Sequence, residues 1–157
     1  MDKLDDIDKK ILRLLQKNAR LTTKELADKI NLSTSPTFER QKRLEREGYI
    51  DKYVALVNPK KLNYKLKVLC NVRLKQHTKE YIQGFSEAMS HIELVTECYN
   101  TSGDYDFIIK LYVHDMDEYQ DFMLNTIGTI ESVGSIHSMF VIGEIKNSHI
   151  IPIGERD

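Results

Sequence analysis

Between Leu21 and Gly48 the chain is punctuated so closely by capping signals that only two short helices and a tight turn fit there. Thr22 followed three residues later by Glu25 is the spacing of a capping box, in which a hydroxyl and a carboxylate each accept a bond from the other's backbone N–H. Leu26, Ala27 and Ile30 give the first helix a buried edge, and Asn31-Leu32-Ser33 turns the chain. The second helix opens on hydroxyls, with Ser33 and Ser35 each a suitable N-cap. It tolerates Pro36 in its first turn, where no ladder bond is asked of the missing N–H. Gly48 closes it, where a left-handed residue is wanted. Two short helices joined by a three- or four-residue turn, the second carrying Arg40, Lys42, Arg43 and Arg46, form a helix-turn-helix pattern. Free N–H groups at a helix start, with hydroxyls and cations beside them, suit phosphate.

The flanking sequence agrees. Ile7, Ile11, Leu14 and Leu15 form one apolar stripe on a helix from about Asp5 to Asn18, with Asp5, Asp6 and Asp8 in its first turn, where the helix dipole favours acids. That helix packs across the other two. On the basic helix, Thr37, Gln41 and Leu44 share an inward face, leaving Phe38, Glu39, Lys42, Arg43 and Arg46 to point outward. Tyr49 to Val57 alternates and is rich in aromatic and β-branched residues, predicting one or two short strands that form a wing. Asn58-Pro59 ends it, and the polar run from Lys60 to Tyr64 reads as a boundary.

Beyond that boundary the periodicity changes to two. Lys65 to Lys75 alternates strictly, with Leu66, Val68, Cys70, Val72 and Leu74 on one face, as a half-buried antiparallel strand does. A helix over Thr78 to Ser90 uses Ile82, Phe85 and Met89. Strands over Ile92 to Asn100 and Tyr105 to Val113 flank a turn at Thr101 to Asp104. A second helix runs over Asp115 to Thr129, a fourth strand over Val133 to Ile145, and Ser148 to Ile153 adds a short edge. The order β-α-β-β-α-β is the ferredoxin-like plan, so the fold class is α+β: a winged helix-turn-helix, then a four-stranded antiparallel sheet with two helices on one face. Leu69, Val95, Tyr99, Ile108, Tyr112 and Met139 would fall on the uncovered face, an apolar extent that signals a dimer.

The charge divides the same way. Residues 1–60 hold 14 Lys/Arg against 10 Asp/Glu, a balance of +4, and residues 61–157 hold 9 against 14, a balance of −5. A basic front suits a polyanionic partner. No apolar run reaches the roughly 18–20 residues of a membrane helix, and the charged start MDKLDDIDKK has no apolar core of a secretory signal, so a cytoplasmic location without membrane contact is expected. Cys70 and Cys98 have no metal spacing and read as small buried hydrophobes. His77, His91, His114, His137 and His149 form no H-E-x-x-H or H-x-x-x-H pattern, and no nucleophile elbow, phosphate loop or dinucleotide fingerprint is present. An enzyme is not expected, and neither a metal nor a cofactor. A ferredoxin-like enzyme would also leave the first sixty residues without a purpose.

Four stretches together carry a specific resemblance: LDDIDKKILRLLQKNAR, LTTKELADKINLSTSPTFERQKRLEREGYI, the strand Tyr53 to Pro59, and CYNTSGDYDFIIKL. They resemble the Lrp/AsnC, or feast/famine, regulators over nearly the whole chain. The resemblance implies a winged helix-turn-helix over 1–52, a hinge over 53–64 and a ferredoxin-like effector and oligomerisation domain over 65–157. It implies double-stranded DNA as a partner, homodimers assembled into octamers or other sets of dimers, and an amino acid as effector. The DNA-facing stretch then corresponds to Ser33, Thr34, Ser35, Thr37, Phe38, Arg40, Lys42 and Arg43, with Arg46 adding charge. The effector site corresponds to Gly103, Asp104, Tyr105 and Asp106 with Tyr99 and Ser102 nearby, completed by Ile136 and Ser138 on the fourth strand. Two positions depart from the family pattern. Gln41 stands where an aliphatic residue is usual, and a buried amide without partners costs roughly 1–3 kcal/mol. Ile136-His137-Ser138 replaces a Thr-x-Thr, leaving one hydroxyl. The alternative reading is an effector-independent architectural DNA-binding protein whose second domain only oligomerises.

Overall fold

The computed structural model describes residues 4–154. They form two compact units. One takes the described residues up to Leu56 together with those from Lys146 onward, and the other spans Val57–Ile145.

In the first unit, α1 (Asp6–Lys17), α2 (Thr23–Ile30) and α3 (Thr34–Arg46) enclose a core of Ile11, Leu12, Leu15, Leu26, Ile30 and Leu44. Reciprocal capping starts α1 and α2: Asp5 with Asp8, and Thr22 with Glu25. Asn31 adopts φ +58 to end α2, which lets α3 begin three residues later on its N-cap Ser33. Gly48 takes φ +75 after α3, a conformation that costs an L side chain about 1 kcal/mol. The expected wing is absent as a paired structure. Residues 51–58 run without ladder hydrogen bonds, and Val54, Leu56 and Val57 are exposed. Alternation gives strand propensity, but a strand needs a neighbour, and none of the described residues supplies one. The tail from Ser148 to Ile153 likewise forms no edge strand, and its last residues lie along α1 instead.

The second unit holds β1 (Leu66–Leu74), α4 (Lys79–Ser90), β2 (Val95–Asn100), β3 (Phe107–Val113), α5 (Met116–Asp121) and β4 (Val133–Phe140). The four strands pair antiparallel in the order β2-β3-β1-β4. Val68, Cys70, Val72 and Leu74 of β1 and Phe107, Ile109, Leu111 and Val113 of β3 face a core closed by Phe85, Met89, Phe122 and Ile127. The stripes expected on β1 and α4 are those observed. Four details differ. Val95 pairs with Leu111 and packs on the core, so it leaves the open face. The helix expected to reach Thr129 stops at Asp121 and continues as a wide π-type turn over Phe122–Thr126 and a 3-10 turn over Ile127–Thr129. β4 ends at Phe140 rather than at residue 145. Cys70 is buried as expected, but Cys98 is exposed on β2.

Candidate functional site

The start of α3 is open. Ser33, Thr34, Ser35 and Pro36 are all exposed, and the Ser33 side chain makes no capping bond, so its hydroxyl and the first-turn N–H groups are available to an anion. Thr37 points the other way: it is fully buried and its Oγ1 donates to the Ser33 carbonyl at 2.8 Å. One turn further along, Phe38 is 44% exposed, with the Lys42 ammonium 5.7 Å from its ring centroid. Lys42 also pairs with Glu45 at 2.6 Å, and that ammonium, with the Tyr53 hydroxyl, holds the Glu45 carboxyl below its usual range against the opposing effect of burial. Arg46 is exposed.

Arg43 is placed differently from the outward-facing cation the spacing suggests, and Arg40, which the resemblance puts among the DNA-facing residues, shares its placement. Arg40 Nη1 donates to Asp5 Oδ2 at 2.6 Å and to Asp8 Oδ1 at 2.8 Å, and Arg43 Nη2 donates to Asp8 Oδ2. Asp8 is 1% exposed, so a buried carboxylate on α1 clasps both guanidinium groups of α3. Burial pushes the Asp5 carboxyl up, but the Asp8 N–H and Arg40 outweigh it and the net shift is downward. Both arginines are pushed above their ordinary range, chiefly by hydrogen bonds to these acids. The reason lies in spacing: Asp8, Leu12 and Leu15 share one face of α1, so the acid is carried into the core with them. That placement was the available signal, an acid at an apolar position of the stripe. Gln41 is satisfied where an aliphatic residue is usual, by Glu45 Oε1 at 3.3 Å and Tyr53 Oη at 3.1 Å.

In the second unit the turn between β2 and β3 is held rigidly. Arg73 Nε and Nη2 both donate to the Asp104 carbonyl, at 2.9 and 2.6 Å, and the guanidinium sits 5.4 Å from the Tyr105 ring centroid. Thr101 Oγ1 donates to the Tyr105 carbonyl at 2.8 Å. Gly103, at φ +122, Ser102 and the Asp104 side chain are exposed at the tip. Tyr99 is on the open face opposite Ile108, and Tyr105 lies 6.5 Å from His137, ring to ring. These residues are brought together. Three expected members are not beside them. Asp106 is buried, accepting from Leu74 N at 2.7 Å while His77 Nδ1 lies 2.9 Å from its other oxygen. Ile136 and Ser138 pair with Val72 and Cys70, which puts them on the helix-covered face, where Ser138 Oγ donates to Cys70 Sγ at 3.3 Å. The period of two decides this, since His137 takes the open-face place between them. Arg73, an arginine on the alternating β1 with no motif around it, is the residue that fixes the turn. Among the described residues no cluster could hold a metal ion.

Residues 4–51 match the winged helix-turn-helix DNA-binding domain, and residues 67–151 match the Lrp/AsnC ligand binding domain. The chain belongs to the Lrp/AsnC family. Leucine-responsive regulatory protein of Escherichia coli K12 is 35% identical over 153 residues, covering 98% of this chain and 93% of that protein. Among solved structures, a transcriptional regulator of Neisseria meningitidis in complex with L-Met superposes with a TM-score of 0.92 at 32% identity, covering 96% of this chain and 97% of that one. An AsnC family regulator of Agrobacterium tumefaciens gives 0.89 at 35% identity, again over 96% and 97%. This Lrp/AsnC chain is thus a DNA-binding transcriptional regulator with a ligand-binding domain, and not an enzyme. Its described residues contain no helix long and apolar enough to cross a membrane.

Proposed function

We propose that this regulator docks the opening of α3 on duplex DNA and that an amino acid bound at the β2–β3 turn modulates the outcome. The observation that carries the DNA reading is the unfilled N-terminus of α3, where exposed hydroxyls, free N–H groups and a partly exposed aromatic ring lie together. Ser33, Thr34 and Ser35 take phosphate oxygens, Phe38 meets a thymine methyl, and Lys42 and Arg46 supply charge. Thr37, Arg40 and Arg43 serve by fixing the helix. At the turn, backbone N–H groups around Gly103 take an α-carboxylate and Asp104 takes the α-ammonium, with Tyr99 and Tyr105 as walls. Asp106, Ile136 and Ser138 act from behind, shaping the turn and β4. The L-Met complex of the Neisseria relative supports an amino acid as the class of effector.

The open sheet face carries Leu69, Tyr99, Ile108, Tyr112 and Met139, and a second copy of this chain is the partner that fits it, giving a homodimer from which octamers or other assemblies are built. A cytoplasmic protein is the reading that suits a DNA partner. A gel-shift assay on the protein's own promoter, at fixed salt and repeated with each amino acid, tests the whole proposal. At least one amino acid is expected to change the affinity. Indifference to all of them favours the architectural protein, and failure to retain duplex in dilute buffer removes both.

A further inference from the structure

The outer side of α1 is already engaged, and by an extended peptide. Gln16 receives Ile151 N–H on Oε1 at 2.6 Å and donates Nε2 to the Ile151 carbonyl at 3.0 Å. The side-chain amide thus satisfies both polar groups of one residue, as a neighbouring strand would. Three residues earlier on the same helix, Arg13 gives Nε and Nη2 to the Ile153 carbonyl at 2.9 and 2.7 Å. Ile153 packs against the cluster that includes Ile11, Leu12 and Leu15, the buried face of this same helix. Polar pairing to alternate residues and one apolar anchor are the elements by which proteins bind extended peptides.

We infer that Arg13, Gln16 and the adjoining edge of the first core form a docking site for a peptide segment that offers its backbone polar groups to the two side chains and one Ile, two residues further on, to the core, occupied by the chain's own C-terminal strap. The strap has a consequence for the DNA-binding unit. The chain passes between the two units twice, at 56–57 and at 145–146, so a docked tail holds the helix-turn-helix by two tethers and a released tail by one. Val141 N–H donates to the Lys67 carbonyl and Glu144 pairs with the Lys67 ammonium, so the slack for release lies after Glu144, in residues 145–147, which form no helix or strand.

Amide hydrogen exchange on the full chain tests this. The Ile151 amide is expected to exchange about tenfold or more slowly than a free chain, and Gln16→Met to bring it to the free rate while α1 amides such as Leu15 stay protected. Trypsin cleavage after Lys146 should accelerate by a similar factor in Gln16→Met. A variant in which α1 itself loses protection is replaced by Arg13→Met, which breaks the second contact and should free Ile151 in the same way. Exchange of Ile151 at the free-chain rate in the unaltered protein overturns the inference. Protection that falls on dilution also overturns it, since the strap would then come from another copy.

Discussion

Asp8 joins two helices of the first unit, because its Oδ2 serves both the α1 capping box and Arg43 of α3 while its Oδ1 accepts from Arg40. It accepts from Asp5 N at 3.2 Å while also meeting Arg40 and Arg43. Removing the charge from one side of a buried pair leaves the other uncompensated, and the partial exposure of both guanidinium groups reduces that cost. Asp8→Asn is therefore expected to destabilise the helix-turn-helix by about 2 kcal/mol, read by urea unfolding of the full chain. Acid should weaken the same unit. The Asp5 and Glu45 carboxyls are held below their ordinary range in the folded state, so their contribution is complete above about pH 5 and is lost as the pH falls through the lowered values. The clasp also divides the cations of α3. Arg46→Ala should lower affinity across DNA sequences and flatten the salt slope by about one unit, measured by titration at several salt concentrations, whereas Arg43→Ala should act mainly on stability.

The elements whose side chains alternate against a single core were legible from the chain alone. β1, α4 and β3 fall within a residue or two of where their periodicity puts them, because each buries one face and exposes the other. The elements that depart are those with a second demand on them. Phe122 and Ile127, five residues apart, are both buried, which an α-helix cannot place on one face and a widened π-type turn can. Helical propensity over Asp115 to Thr129 carries no trace of that requirement. The segment from Tyr49 to Val57 has the composition of a strand and no partner in this chain, and composition cannot supply one. The β2–β3 turn was visible as Gly103-Asp104, but its clamp, Arg73, sits thirty residues away in an alternating strand where an arginine looks like ordinary surface. Gly134 shows the same dependence on a distant neighbour. A Cβ there would lie 3.1 Å from backbone atoms of Arg73, Leu74 and Lys75, at the irregularity where β1 and β4 shift register. Backbone cannot swing aside as a side chain does, so Gly134→Ala should cost about 1–3 kcal/mol in the second unit, seen as a lowered Tm.

Across the whole molecule, the two kinds of work fall to units of opposite charge, and the sheet face that the helices leave uncovered is where the second unit meets its own copy in the proposed assembly. That face is mixed. Lys110 pairs with Glu97, and the Lys67 ammonium lies 5.4 Å from the Tyr112 ring centroid, so its cations are already neutralised or turned onto aromatic rings. What is left for a partner is the apolar surface of Tyr99 and Met139, 54% and 40% exposed, with Leu69 and Ile108 between them. The β2–β3 turn borders this face through Tyr99, so assembly and effector response are coupled in the proposed mechanism. Asp104→Ala is expected to abolish the response to amino acids and leave DNA binding intact, checked by gel shift; an unchanged response removes Asp104 from the site. Met139→Asp places a charge on the β4 side of the contact, where its burial is expected to cost about 3 kcal/mol, or about a hundredfold in the dissociation constant. Light scattering should then report a smaller mass for Met139→Asp than for the unaltered chain at the same concentration, with an unchanged circular dichroism spectrum. An equal mass for the two would mean that this face is not where copies meet, and the assembly would have to be built on another surface.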